Sequence, residues 1–91
     1  MLYIVCYDIA DERRRARVAD TLLDYGRRLE ESVFAVNLDE ELTARMKQRL
    51  QRQIEETEDT LHLFPMCAAC AEKMEAMGRG EKPEDKPFYV I

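Results

Sequence analysis

Apolar positions along the chain divide it into strands and helices in a regular order. Residues 2–9 are apolar almost throughout and rich in β-formers, which predicts a central strand buried on both faces. Asp11 then offers an N-cap, and apolar residues recur at helical spacing as far as Tyr25, which predicts a helix over about residues 12–25. Gly26 fits the position just past a helix end. The chain therefore begins with a strand followed by a helix.

The middle of the chain continues with β-type residues and a second amphipathic helix. Residues 27–38 alternate in the manner of a strand and contain no Gly or Pro. They form either one bent strand or two short strands around residues 31–32, and the sequence leaves both alternatives open. Asp39 is a favourable cap for a second helix over about residues 40–56.

The remaining residues predict three shorter elements. Residues 60–64 form a strand that Pro65 ends. Residues 67–76 have helix propensity, enough for a single helical turn and an extended piece. Residues 78–87 combine Gly, Pro and charged side chains, which predicts a surface loop before a terminal β segment at residues 88–91.

This order of elements fits a ferredoxin-like βαββαβ sandwich, which is an α+β fold and would make residues 1–91 a single domain. In such a sandwich the helices cover one face of an antiparallel sheet. The other face carries apolar strand residues that need a cover. A second copy of the chain is the simplest cover, so we expect a homodimer.

Composition narrows the class of protein. The 91 residues are 46% hydrophobic and 36% charged, which excludes a disordered chain and a membrane protein. The uncharged run at residues 1–7 is too short to span a membrane and lacks the flanks of a signal peptide. Three cysteines are an odd count, which argues against a secreted disulfide scaffold. We therefore expect a cytoplasmic protein with no membrane partner.

The charge is unevenly distributed. The net charge of −5 belongs to residues 53–91, with four basic and nine acidic side chains, whereas residues 1–52 have ten of each. Four arginines cluster at the start of the first predicted helix, and two more precede the next strand: Arg13, Arg14, Arg15, Arg17, Arg27 and Arg28. These residues are either a solvated helix face or a surface for phosphate, since guanidinium groups bind phosphate oxygens in pairs.

Asp8 ends an otherwise apolar strand, directly after Tyr7. A carboxylate is costly to bury there unless it is paired or bound to a metal. It therefore caps the helix or pairs with Arg15, or it binds a hard cation such as Mg²⁺, with Mn²⁺ as the alternative. Two Asp8 residues that face each other across a dimer axis would form such a metal site. A metal there would activate water and neutralise charge on a phosphodiester.

Other candidate residues have two interpretations each. Cys67 and Cys70 form a CxxC pair that either packs a tight turn or serves as a redox pair or a zinc site shared between chains. Ser32 donates either to a phosphate or to the backbone, and Phe34 belongs either to the core or to a base-stacking surface. His62, the only histidine, is either structural or catalytic.

Several segments together resemble a known family, the small CRISPR-associated Cas two subunits. The matching segments are YIVCYDI at residues 3–9, DERRRARV at 11–18, SVF at 32–34, PMCAAC at 65–70 and GRGE at 78–81. They occur in the same order along nearly the whole chain. The combination of the YDI segment, the arginines after it and the later SVF is the most specific part of the resemblance.

The resemblance implies a ferredoxin-like homodimer whose sheets pack face to face, with one metal-supporting aspartate per protomer, matching Asp8. It implies a Mg²⁺-dependent endonuclease on single-stranded RNA or double-stranded DNA. It also implies a DNA-binding bridge between integrase dimers during spacer acquisition, with the CRISPR integrase as partner. The matched positions for catalysis are Tyr7, Asp8, Arg15 and Arg17, and those for nucleic-acid binding are Arg28, Ser32 and Phe34. The arginine cluster adds Arg13 and Arg14 as candidates for nucleic-acid binding.

The chain departs from the family pattern at Glu30, where an uncharged residue is common, with Glu31 beside it. Two carboxylates near a phosphate surface weaken phosphate binding unless one of them assists a metal. The alternatives to an endonuclease are a catalytically silent adaptor, a toxin-type messenger RNA interferase on a related fold, and a regulatory domain that binds a metabolite between protomers.

Overall fold

Seven segments of regular structure follow one another in the computed structural model, which describes residues 1–78. The elements are β1 Leu2–Asp8, α1 Glu12–Leu23, β2 Gly26–Glu30, β3 Val33–Asn37, α2 Glu40–Gln53, β4 Thr60–Met66 and α3 Ala68–Lys73. The predicted terminal strand at residues 88–91, and the predicted loop beyond Gly78, lie outside the described residues. Along residues 1–78, no helix is long and apolar enough to cross a membrane.

The strands form one antiparallel sheet in the order β2-β3-β1-β4, with β1 between β3 and β4. Together with the order of helices, this confirms the predicted α+β, ferredoxin-like arrangement. β1 is central because its apolar residues can pack on both neighbours, and β2 and β4 form the two edges of the sheet that residues 1–78 build. Asp8 pairs with Thr60, and Leu2 at the other end of β1 pairs with Met66.

The helices cover one face of the sheet. Val5 and Tyr7 of β1 point to this side and are buried, whereas Ile4 and Cys6 on the opposite face are only half-buried. The prediction that this strand is buried on both faces is therefore wrong for residues 1–78 of the single chain, which leave its second face half-exposed. The core consists of residues from the covered face of the sheet and the facing stripes of α1 and α2, among them Val18, Leu22, Phe34, Val36, Met46 and Leu50.

Residues 27–38 form two strands rather than one. β2 and β3 meet at a tight turn at residues 31–32, and a β-bulge interrupts their pairing between Arg28 and Glu30. Gly26 is the first residue of β2, and α1 already ends at Leu23 with Asp24 as its C-cap, so the prediction that Gly26 lies just past the helix end is wrong. A Cβ at Gly26 would overlap the carbonyl oxygen of Ala35 on the paired strand, which explains why glycine stands there.

Three element ends differ from the predictions. α1 ends at Leu23, and α2 ends at Gln53 because Ile54 adopts an extended conformation. β4 continues through Pro65 to Met66 and so does not end at the proline. Proline is tolerated here because β4 is an edge strand, where a missing N–H need not break the ladder. The predicted short helix is confirmed, with six residues in α3 and an extended Met74 after them.

Candidate active site

A shallow cleft of about 360 Å³ lies where β1 ends, α1 begins and the β2–β3 turn comes close. Its lining residues are Tyr7, Asp8, Ile9, Ala10, Arg15, Glu31 and Ser32. Four of the residues selected from the sequence therefore meet at one place, although they come from separate segments of the chain. The antiparallel pairing of β1 with β3 produces this meeting, since the amide of Tyr7 donates to the carbonyl of Ser32 at 3.2 Å.

Asp8 is exposed at the mouth of the cleft, on the sheet face that the helices leave uncovered. Neither structural role foreseen for it is realised. The cap of α1 is Asp11, whose carboxylate accepts the amide of Arg14 at 2.8 Å. The guanidinium of Arg15 donates to backbone carbonyls rather than to Asp8. The carboxylate of Asp8 is therefore accessible to a ligand from solvent.

Arg15 is held in place by the loop after β1. Its Nη1 donates to the carbonyl oxygens of Ile9 at 3.0 Å and Ala10 at 3.1 Å. The side chain lines the main cleft and also a second one of about 260 Å³, which it shares with Arg28. Because only one of its nitrogens makes these bonds, the remaining donors can contact an anion. Arg15 is thus a positioned cation between two open clefts.

Tyr7 fixes the turn that closes the cleft. It is only 6% exposed, and its hydroxyl donates to the carbonyl oxygen of Glu31 at 3.2 Å. Its ring packs on Phe34, with centroids 6.2 Å apart. Phe34 is fully buried, which places it in the core and leaves no ring face for a base. The Arg28 guanidinium lies 5.0 Å from the centre of that ring.

The other arginines of the cluster separate into two groups. Arg13 and Arg17 are exposed on α1. Arg14 instead turns to Asp59, with Nε–Oδ2 at 2.8 Å and Nη2–Oδ1 at 3.0 Å. The bonds from Arg14 and from the amide of Glu55 hold the pKa of Asp59 below its ordinary value, although burial opposes this. Sequence reasoning missed Asp59, since a residue so distant in the chain carries no local signal of such a partner.

The cleft is lined by side chains of the type that bind a hard cation. Asp8 and Glu31 both line it and supply carboxylate oxygens, the ligand type that Mg²⁺ prefers. Mg²⁺ keeps several waters, so one or two carboxylates are enough. Within residues 1–78, no group of three or more His, Cys, Asp or Glu could hold a metal. A partly hydrated ion therefore fits the residues present, whereas a fully protein-ligated ion does not.

Comparison with known proteins agrees with this geometry. The sequence matches the family described as CRISPR associated protein Cas2 over residues 1–74. The CRISPR-associated endoribonuclease Cas2 1 of Chloroflexus aurantiacus is 38% identical over 93 aligned residues, which cover all of both chains. The crystal structure of Streptococcus pyogenes Cas2 at pH 6.5 has a TM-score of 0.78 and 28% identity, covering 86% of this chain and 100% of that one. A chain of a partial Cas6-RT-Cas1–Cas2 complex has a TM-score of 0.77 at 19% identity, covering 94% and 93%, which shows a common fold. The chain belongs to the CRISPR-associated protein Cas2 family.

Proposed function

We propose that this protein is a dimeric, metal-dependent endonuclease that cleaves phosphodiester bonds in RNA or DNA. The observation that carries the proposal is the convergence of Asp8, Arg15 and Ser32 on one open cleft. A carboxylate, a tethered guanidinium and a hydroxyl are the groups that a phosphodiester site needs. The endoribonuclease name of the Chloroflexus relative supports the same chemistry, and family membership argues against the toxin-type and metabolite-binding alternatives.

Each residue has a defined part in this proposal. Asp8, with Glu31 beside it, would hold a hydrated Mg²⁺ or Mn²⁺. When bound, such an ion lowers the pKa of a coordinated water and offsets negative charge on the phosphate. Arg15 orients the phosphate through its free donors, and Ser32 offers a further hydrogen bond. Tyr7 keeps the turn with Glu31 and Ser32 in place through its buried hydroxyl.

The uncovered face of the sheet supports the homodimer. Ile4 and Cys6 are half-buried there, and Phe64 is 49% exposed on the same face. A second copy would remove this apolar surface from water. Asp8 lies on that face too, so a face-to-face pair would bring two such carboxylates to the interface. The cleft of one chain has two carboxylates in its lining, those of Asp8 and Glu31, and the partner's Asp8 would add a third.

A structural role in spacer acquisition is the second candidate. The exposed Arg13 and Arg17 offer a phosphate-binding surface outside the cleft. The observation that favours an adaptor without catalysis is that residues 1–78 contain no group of three or more His, Cys, Asp or Glu that could hold a metal. In this role the dimer would hold DNA for a CRISPR integrase in the cytoplasm, and cleavage would be incidental.

A cleavage assay separates the two candidates. Purified protein is incubated with end-labelled single-stranded RNA or double-stranded DNA, in Mg²⁺, in Mn²⁺ and in chelator. The endonuclease proposal expects cleavage with metal and none with chelator, and the substrate that is cut identifies the nucleic acid. Cleavage in chelator, or no cleavage of either substrate with either metal, would contradict it. In the second case, binding of DNA by the uncleaving dimer would support the adaptor role.

A further inference from the structure

A pair of exposed thiols lies at the opposite end of the β1–β4 ladder from Asp8. Cys67 directly follows Met66, the partner of Leu2, whereas Asp8 pairs with Thr60 at the other end. Cys67 and Cys70 are both exposed and both free. Nothing in the proposed phosphodiester chemistry uses them, so their arrangement calls for an explanation of its own.

The first turn of α3 brings the two sulfurs together. The amide of Cys70 donates to Sγ of Cys67 at 3.3 Å. A disulfide needs its two residues close and their side chains directed toward each other. The bond from the Cys70 amide directs the Cys67 side chain back over the first turn of α3, so the turn holds the two cysteines close together. Ala71 is buried, which ties this turn to the body of the protein.

The two thiols are chemically unlike. The hydrogen bonds from the Cys70 amide and thiol lower the pKa of Cys67, which favours its thiolate. The pKa of Cys70 is raised, because its thiol donates to the sulfur of Cys67 and a second negative charge beside that sulfur is unfavourable. Burial raises the pKa of Cys6, the third cysteine. Cys67 is thus suited to attack, and Cys70 to resolve the product of that attack.

We propose that Cys67 and Cys70 form a reactive dithiol that exchanges with small-molecule disulfides such as oxidised glutathione. The Cys67 thiolate attacks one sulfur of the disulfide, whose S–S bond breaks, and one glutathione leaves as a thiolate that takes a proton. Cys70 then loses its proton to solvent and attacks the Cys67 sulfur of the mixed disulfide, releasing the second glutathione. Two protein thiols are oxidised by two electrons, and one glutathione disulfide is reduced to two thiols.

Zinc binding is the competing use of a CxxC pair, and the structure favours it less. A structural zinc site takes four ligands. Among the described residues 1–78, no cluster of three or more His, Cys, Asp or Glu could hold a metal. Along residues 1–78 the two cysteines have no third ligand beside them, whereas a disulfide needs only the two sulfurs.

The test is a thiol-trapping experiment on the full chain. The protein is placed in buffers of graded oxidised-to-reduced glutathione ratio, quenched with acid, alkylated in denaturant and analysed by peptide mass spectrometry. We expect a linked Cys67–Cys70 pair while Cys6 remains alkylated. Cys70→Ser should trap glutathione on Cys67, and Cys67→Ser should react at least about tenfold more slowly. Cys6→Ser is the matched control and should behave as the parent protein.

Three results would overturn the proposal. The first is that Cys67 and Cys70 stay reduced in the folded protein at every glutathione ratio that oxidises them in the unfolded protein. The second is equal reaction rates for Cys67 and Cys6 in the folded protein. The third is a zinc ion in native mass spectra that is retained by two chains and lost in Cys67→Ser. The phosphodiester proposal is unaffected by any of these results, because the assay measures no cleavage.

Discussion

Arg14 and Asp59, which lie 45 positions apart in the sequence, form an ion pair joined by two hydrogen bonds. The Asp59 side chain is completely buried, and its Oδ2 also accepts the amide of Glu55 at 2.8 Å. The pair fixes the first turn of α1 to the start of β4, beside the strand position that pairs with Asp8. The Arg14–Asp59 pair, which lies outside the cleft, therefore stabilises the end of the sheet that carries the candidate site.

Acid should destabilise the protein through Asp59. Because its pKa is lowered in the folded state, this carboxylate stabilises the fold fully above the ordinary aspartate pKa of about 4. That contribution is lost as pH falls below about 4 and through the folded-state value. Asp59→Asn should lower the thermal midpoint at pH 7 by several degrees. The midpoint of this variant should also decrease less than that of the parent protein as the pH is lowered.

Thermal unfolding followed by circular dichroism between pH 2 and 7 measures this effect. Asp24→Asn is the control, since Asp24 pairs with Arg49 at 3.1 Å at an exposed position where ion pairs contribute little. An equal loss of thermal midpoint in both variants at pH 7 would contradict the role given to Asp59.

Substitution of Arg15 should reduce cleavage more than stability. Arg15→Ala removes both the bonds to Ile9 and Ala10 and the positioned cation, so we expect a loss of about 10- to 100-fold in rate. Arg15→Lys should retain only part of the cleavage rate, since lysine lacks the planar guanidinium with its paired donors. The measurement is the cleavage rate at several salt concentrations, with the exposed Arg52→Ala as control. Rates for Arg15→Ala within twofold of that control would show that Arg15 does not contact the substrate.

Tyr7→Phe tests whether this tyrosine positions the turn or takes part in chemistry. The ring and its packing on Phe34 remain, and only the hydrogen bond to the Glu31 carbonyl is lost. We expect a stability loss of about 0.5–1.5 kcal/mol in urea unfolding, with cleavage kept to within a few-fold. A loss of cleavage as large as that caused by Asp8→Asn, with stability unchanged, would instead identify the hydroxyl as catalytic.

The uncovered sheet face should control dimerisation. Phe64→Glu places a charge where a second copy would pack, and we expect the dimer dissociation constant to rise by at least about 100-fold. Leu23→Glu is a matched control, since Leu23 is 51% exposed against 49% for Phe64 but lies on α1, in the other layer. Sedimentation equilibrium measures the dimer dissociation constant of both variants. Equal effects, or a parent protein that is monomeric at high concentration, would exclude the face-to-face dimer.

The parts of the fold that local chemistry dictates were predictable from the sequence. The two long helices begin where expected because Asp11 and Asp39 each accept the amide three residues later. The errors lie where residues distant in the sequence determine the local structure. Gly26 starts a strand because Ala35 leaves no room for a side chain, and Pro65 continues a strand because β4 is at the sheet edge.

The residues of the candidate site were likewise predictable only in part from the sequence. Asp8 stood out because a carboxylate ended an apolar strand, and it does lie at an open cleft. Arg14 belonged to the same arginine cluster as Arg15, yet their surroundings differ. The guanidinium of Arg14 is occupied by Asp59, whereas Arg15 faces two clefts. Charge patterning alone does not separate these neighbours, since the difference depends on which distant residues the fold places beside each of them.

Asp8→Asn tests most directly whether the Asp8 carboxylate supports metal-dependent cleavage. The variant is compared with Asp20→Asn, the same change at an exposed position of α1, after folding and dimerisation of both are verified. Cleavage is measured across Mg²⁺ and Mn²⁺ concentrations. We expect Asp8→Asn to lose cleavage by at least about 100-fold at every metal concentration, and Asp20→Asn to cleave normally. Metal-dependent cleavage that persists in folded, dimeric Asp8→Asn would contradict the account.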